Sequence, residues 1–313
     1  MESSRGGPGR RRRRARRRPV LSAALVAVVI GGVTAGGTVY VKARAHDGGR
    51  TVSSRVQAVQ EEASVEPVTR PAVDRTALLG AAMKAVDVPS GAAVSAAVLD
   101  LDSGESATYG EGAFDTASIV KVDILAALLL RAQDEGRHLT AAEKAYAVKM
   151  IESSDNASAT ALWDIVGGAK GLDAANARFG LTGTSAGANG LWGLTRTTAK
   201  DQLTLLRQVF GSDSKLASAS RAYLRELMES VDAGQRWGVS AAAGSGVTAL
   251  KNGWLPRSTT GLWVVNSIGR VETADGSGYL VAVLSKGTAT QADGISLVES
   301  AARAAVGAFS GPA

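Results

Sequence analysis

Apolar positions change their period twice along this chain, and the changes divide it into elements. From Asp74 to Val86 the spacing of Leu78, Leu79, Ala82 and Val86 is helical. Ala92 to Leu101 is rich in Val and Ala and ends at Asp102-Ser-Gly104, so with Ser106 to Tyr109 it predicts a hairpin. A long apolar helix pattern opens near Ser118. More polar helical segments follow over 141–151, 157–166, 172–179, 199–210 and 219–231. From Val247 the pattern returns to strands, over 247–254, 261–271 and 278–285, and a helix over 291–308 closes the chain. Strands at both ends of a helical middle predict an α+β fold. Its antiparallel sheet joins the chain ends and is flanked by N- and C-terminal helices, with an α-helical subdomain inserted.

The first 73 residues add three segments in front of that domain. Residues 1–19 form a basic tail with nine arginines, and residues 20–41 are uncharged. Twenty-two such residues are enough to cross a bilayer, whose apolar core needs about 20 in a helix. The arginines should stay cytoplasmic and place the C-terminal body outside. Ala43-Arg-Ala45 also offers a small-residue cleavage pattern, so a secreted product is the alternative to a single-pass anchor, which is the expectation. Residues 42–73 mix Gly, Ser, Glu, Gln and Pro as a flexible linker, and residues 74–313 form the domain.

Charge and composition then remove whole classes of function. The net charge of +6 comes from the tail: beyond residue 45 there are 24 Lys/Arg against 28 Asp/Glu, which gives no footprint for a nucleic-acid partner. There are no cysteines, so disulfides, thiolate metal sites, a cysteine nucleophile and an acylated cysteine anchor are excluded. The two histidines, His46 and His138, sit in polar, loop-like stretches. A Ser-His-Asp triad would need His138 to reach Ser118 from the far end of one helix, too far at about 1.5 Å per residue. Serine chemistry here has to use lysine as its base.

Lysine is at hand. Ser118 and Lys121 lie three apart at the head of the long apolar helix, where side chains share a face with β-carbons about 5–6 Å apart. A lone Ser-x-x-Lys is weak evidence, since Ser212-Asp-Ser-Lys215 repeats the spacing in a loop. Two further stretches supply context: Ser154-Asp155-Asn156, by itself an ordinary helix cap, and Lys251-Asn252-Gly253, by itself a strand end. Together and in that order they resemble the S-x-x-K, S-D-N and K-T-G set of the penicillin-recognising serine hydrolases, specifically the class A β-lactamases. Phe114, Gln133-Asp-Glu-Gly136, Thr197-Thr198 and Gln235-Arg236 look like that family too, and the resemblance runs from about Asp74 to the C-terminus.

The resemblance implies that Ser118 is the acylated nucleophile and Lys121 its base, with Lys251 on the opposite wall binding a substrate carboxylate. Ser154 would relay a proton toward the leaving nitrogen, and Asn156 would hold the substrate amide. Asn252 and Gly253 would border the substrate, and the backbone NH groups of Ser118 and Trp254 would form the oxyanion hole. Arg257 reads as an exposed hairpin arginine. Two ammonium groups facing one small, partly desolvated site should lower the pKa of at least one of them. No cofactor or metal is expected, and a monomer is.

Three departures separate this chain from the family pattern. Asn252 replaces a hydroxyl residue. Ser118 and Ser154 are only 36 residues apart, so part of the cleft wall is expected to be missing. Most important, 174–200 contains no Asp or Glu, whereas class A enzymes carry there the glutamate that activates the deacylating water. Three readings follow: a β-lactamase-like hydrolase that turns over slowly, a D-alanyl-D-alanine peptidase or penicillin-binding protein, and a non-catalytic wall-binding domain. The substrate is accordingly a β-lactam or a D-alanyl peptide, met at the outer face of a membrane that residues 20–41 anchor.

Overall fold

The computed structural model describes residues 73–310 apart from residue 245. The segment 20–41 lies outside the described residues, and none of the described helices is long and apolar enough to cross a membrane. The elements run α1 (Arg75–Met83), β1 (Ala93–Asp100), β2 (Ser106–Tyr109), β3 (Phe114–Asp115), α2 (Val120–Asp134), α3 (Ala141–Glu152), α4 (Asn156–Val166) and α5 (Gly168–Phe179). They continue with β4 (Arg196–Thr197), α6 (Ala199–Phe210), α7 (Ser218–Glu229), β5 (Thr248–Pro256), β6 (Trp263–Glu272), β7 (Gly278–Thr288) and α8 (Gln291–Ser310).

The five long strands form one antiparallel sheet in the order β2-β1-β7-β6-β5. Strands from the two ends of the chain therefore meet at the β1–β7 pairing, as the expected α+β architecture requires. The strands alternate between two cores. Val94, Ala96 and Val98 of β1 and Val281 and Val283 of β7 pack with Leu297, Val298, Ala301, Ala302 and Phe309 of α8 and with Leu79 and Met83 of α1. Ala97 and Leu99, with Leu280, Ala282 and Leu284, face the helical subdomain instead. Period-2 patterning thus puts one apolar set against the terminal helices and the other against α2–α7.

At the centre of the helical side lies α2, in which twelve consecutive or near-consecutive residues are buried, Val120 to Leu130 and Ala132. A helix buried on every side loses the one-faced pattern of a surface helix, which is why its sequence reads as a continuous apolar run. Its start differs from expectation. Residues Ala117–Ile119 form a 3₁₀ turn, and Ala117 has φ 48°, a left-handed conformation that a Cβ disfavours. Ser118 therefore sits on a tight turn ahead of the helix.

The two-stranded ribbon of β3 and β4 was not foreseen. Phe114 pairs with Thr197 and Asp115 with Arg196, which ties the segment before Ser118 to the end of the 180–198 loop. Two-residue strands carry no periodicity that a sequence can reveal. Thr198 caps α6 through its hydroxyl, which accepts from Asp201 N at 3.1 Å.

Candidate active site

Four segments meet at an open cleft of about 350 Å³: the Ser118 turn, the first residue of α4, the 190–194 stretch and the end of β5. Ser118, Asn156, Trp192 and Trp254 line it, together with Leu191 and Leu255. Strand β5 approaches the nucleophile turn so closely that a Cβ on Gly253 would lie 2.6 Å from Ser118 N and 2.7 Å from Ile119 N. Only glycine allows that contact.

Directly beneath lies a buried polar cluster. Lys121 Nζ donates to Ser154 O at 2.6 Å, to Ser154 Oγ at 3.0 Å and to Asn156 Oδ1 at 2.8 Å. Lys251 Nζ donates to the same Ser154 Oγ at 3.0 Å and to Asn252 O at 3.1 Å. Both lysines are fully buried. One hydroxyl thus joins two amines. Ser154 reaches this position in a left-handed conformation, φ 57°, which aims its carbonyl and its hydroxyl at one ammonium; a non-glycine residue in that region costs about 1–3 kcal/mol. Asp155 caps α4 through Oδ1, accepting from Ser158 N at 2.7 Å, and so fixes the neighbouring Ser154 and Asn156.

Burial dominates the electrostatics. Desolvation lowers Lys121 from 10.5 to about 8 against the opposing field of Asp155. Desolvation also lowers Lys251 from 10.5 to about 7, reinforced by the charge on Lys121 and opposed by Asp232. An amine that loses its proton near neutrality keeps two donors and gains an acceptor. In that state Lys121 and Lys251 can exchange a proton through Ser154 Oγ. No hydrogen bond joins Lys121 Nζ to Ser118 Oγ among the described residues, so the lysine faces the Ser154 loop before substrate arrives.

Asn252, expected at the substrate, points elsewhere. Its Nδ2 donates to Gln235 O at 2.7 Å and Trp237 O at 3.0 Å, and it is fully buried. Alternation along β5 explains the direction, since Lys251 and Gly253 share the other face. Arg257 also departs from the reading of an exposed hairpin arginine: only 33% of its side chain is accessible, and it pairs with Asp115 at 3.1 Å.

The loop where an acid is missing has a different occupant. Trp192 lies 5.0 Å from Lys121 Nζ, measured to its ring centroid, while its indole NH donates to Thr160 Oγ1 at 3.2 Å. Acids do border the loop, but they hold its backbone. Asp201 Oδ2 accepts from Gly183 N and Thr184 Oγ1, both at 2.7 Å, and Asp173 Oδ1 accepts from Ala186 N at 2.8 Å. Glu152 ends α3 and does not line the cleft. Trp192 was the residue that sequence reasoning passed over, and a Trp beside a Leu in a loop of small residues was the available signal.

Residues 142–309 match the model of the beta-lactamase enzyme family. The chain belongs to that family. The matched span holds Ser154 and Lys251, whereas Ser118 and Lys121 precede it. The protein named "Putative lipoprotein LppW" in Mycobacterium tuberculosis and in Mycobacterium bovis is 29% identical over 244 residues, covering 71% of this chain and 77% of the relative. Among solved structures, PBP-A superposes with a TM-score of 0.64 at 25% identity, over 75% of this chain and 96% of that one. A mutant of PBP-A, solved as an acyl-enzyme complex with penicillin G, gives the same figures. A class A beta-lactamase representative from Bacteroides cellulosilyticus superposes with a TM-score of 0.63 at 17% identity, over 75% of this chain and 98% of that one, a likeness of fold. The β-lactamase-like sheet and helices of this family member are therefore shown, and the antiparallel α+β expectation holds. Among the described residues no group of three or more His, Asp or Glu side chains is placed to hold a metal ion.

Proposed function

We propose that this chain is a serine acyl-transfer enzyme working outside the membrane, in which Ser118 is acylated by a β-lactam or a D-alanyl amide and releases the acyl group slowly. One observation carries the reading: two fully buried lysines share the hydroxyl of Ser154 at 3.0 Å each, directly below the cleft that Ser118 lines. Nothing in packing asks for two amines around one hydroxyl, since burying charge is costly.

In this mechanism Lys121, neutral in part of the population near pH 8, takes the Ser118 proton as the hydroxyl attacks the amide carbonyl. The C–N bond breaks as a proton passes from Lys121 through Ser154 Oγ to the leaving nitrogen. Burial and the charge on Lys121 lower the proton affinity of Lys251, which stands ready to donate to the substrate carboxylate. Asn156 holds the substrate amide, and the backbone NH groups of Ser118 and Trp254 receive the developing oxyanion. Asn252 contributes by fixing the 235–237 loop behind β5.

A D-alanyl-D-alanine peptidase is the second reading, and the 174–200 stretch favours it: it holds no acid to activate a water, and it sets the Trp192 ring, not a carboxylate, 5.0 Å from Lys121 Nζ. Localisation follows the same logic. A relative is named a lipoprotein, yet this chain has no cysteine to acylate, so residues 20–41 supply the tether.

Time-resolved intact mass of the full-length chain with a fluorescent penicillin tests the proposal. An adduct on Ser118 that persists for many minutes is expected. If no adduct forms, or if Ser118→Ala carries the same adduct, the acyl-transfer reading is wrong. Release of D-alanine from a model pentapeptide separates the peptidase from the β-lactamase reading.

A further inference from the structure

A second cavity, of about 300 Å³, lies beside the acylation cleft, and none of the residues assigned to acyl transfer lines it. Its charge is lopsided. Arg196, Arg257 and Lys286 line it against one acid, Asp115. The Asp115 carboxylate forms an ion pair with Arg257 Nη1 at 3.1 Å and accepts from Arg196 Nη1 at 3.5 Å, and the residue is only 8% exposed. Arg196 is held further by its Nη2 bond to Ala113 O at 2.8 Å, and the Lys286 ammonium stands 4.8 Å from the Phe114 ring centroid.

One carboxylate orients the two guanidinium groups without neutralising three cations. The pocket keeps two formal positive charges, in a domain where acids outnumber bases beyond residue 45. A concave surface of one sign concentrates counter-charged ligands. Guanidinium forks suit the planar or tetrahedral oxygens of carboxylate and phosphate.

The two cavities also share walls. Each of three chain segments passes from one to the other within two or three residues: Asp115 to Ser118, Leu194 to Arg196, and Leu255 to Arg257. A ligand longer than a β-lactam nucleus, with its scissile amide at Ser118, has the cationic pocket as its next stop.

We propose that this pocket is a subsite for a carboxylate or phosphate group carried by an elongated substrate of the cleft. The link to Ser118 rests on the acyl-transfer reading, whereas anion binding by the pocket does not.

Anion binding is tested in the full-length Ser118→Ala chain, titrated with citrate and with tripolyphosphate at low ionic strength while tryptophan fluorescence is followed. Saturable binding of at least one is expected: citrate alone assigns a carboxylate, tripolyphosphate alone a phosphate, and both together their shared oxyanion chemistry. Arg257→Gln should weaken that binding about tenfold or more. Arg196→Gln and Lys286→Gln, which alter exposed side chains, should each weaken it about threefold. Absence of saturable binding by either anion, or full affinity in both of those latter chains, overturns the proposal.

The link to Ser118 is read in the wild-type chain from two D-alanyl peptides that differ only in a distal carboxylate or carboxamide. A preference of about tenfold for the carboxylate, reduced to about threefold in Arg196→Gln, is expected; equal rates for the two peptides in the wild type sever the link. If neither peptide nor a fluorescent penicillin modifies Ser118, the acyl-transfer reading fails, and the titration still decides the pocket.

Discussion

Lys121 and Asp123 stand two residues apart on α2, both shut off from solvent, and burial has driven both toward neutrality. Desolvation brings the amine down to about 8 and pushes the carboxyl up to about 8. At 3.6 residues per turn, a two-residue step turns side chains to nearly opposite sides of a helix. On one side Lys121 meets the Ser154 and Asn156 oxygens beneath an open cleft. On the other, Asp123 meets the Asn176 amide, whose nitrogen, in the orientation that suits both side chains, lies 2.8 and 3.0 Å from its two oxygens. Asp173 and Asp201 add negative charge there and hold the proton more firmly on Asp123. The same physical cause thus yields a usable base on one face and a neutral structural acid on the other. A shifted pKa marks burial first, and the neighbours decide whether it becomes chemistry.

The sharpest way to break this contrast is to remove each group in turn. Lys121→Ala should lower the acylation rate of Ser118 by about 10³-fold, within the range of a positioned general base. Asp123→Asn, alike in shape and already neutral in effect, should leave that rate within about twofold. Fluorescent-penicillin labelling of both chains gives the two numbers. Equal losses would mean that the two faces of α2 are not functionally distinct.

Gly253→Ala comes next in size. Its Cβ would press on Ser118 N and Ile119 N and move the nucleophile turn away from β5. A displacement of about 1 Å at a reacting group can cost about 10²-fold in rate, so a fall of about 10- to 100-fold is expected with little change on the Asp123 side. Stopped-flow labelling together with a urea melt separates the two effects. A chain that labels at the wild-type rate would show that the close approach is incidental.

Stability provides the complementary test. Asp123→Ala leaves the Asn176 amide buried opposite a void and should cost about 1–3 kcal/mol. Its acylation rate should follow the wild type once the protein is folded. Urea unfolding measures the loss, and a midpoint that does not move would remove the acid–amide pair from the account of the fold.

The two faces of α2 were unequally legible in the sequence. Ser118, Lys121, Ser154 and Lys251 could be picked out because three short motifs bind residue types to fixed spacings; the structure joins Lys121, Ser154 and Lys251 in one hydrogen-bonded cluster, while Ser118 lines the cleft with Asn156. The sheet and its flanking helices were legible for the same reason, since periods of 2 and 3.6 are local. Asp123 was not, because its partner Asn176 lies on α5 and an acid inside an apolar run carries no local sign of a distant amide. Asp115 and Arg196 come from β3 and β4, and Arg257 follows β5, so their ion pairs exist only once these distant segments meet. Asn252 was read toward the cleft because its motif is, yet carbonyls from a loop fifteen and seventeen residues earlier turn its amide the other way.

The most direct test of the comparison is pH. Acylation needs the neutral amine, so its rate should climb as pH rises through about 7 to 8, the region to which burial lowers Lys251 and Lys121. Stability should run the other way over the acid side. Asp123 has an ordinary value of 3.8 and is raised to about 8 in the fold, so the native state holds a proton that the unfolded chain has released. Its contribution is complete below about 4, erodes as pH rises, and is gone above about 8, with a slope no steeper than about 1.4 kcal/mol per pH unit. Lys121 has the opposite sign: lowered from 10.5 to about 8, it sheds its proton before the unfolded chain does, so between those values it returns stability as pH rises. Asp123→Asn should therefore flatten the decline between pH 4 and 8 in urea midpoints while the acylation profile keeps its rise. A variant that flattened both would join the two groups into one titrating unit, and the division of α2 into a chemical and a structural face would fall.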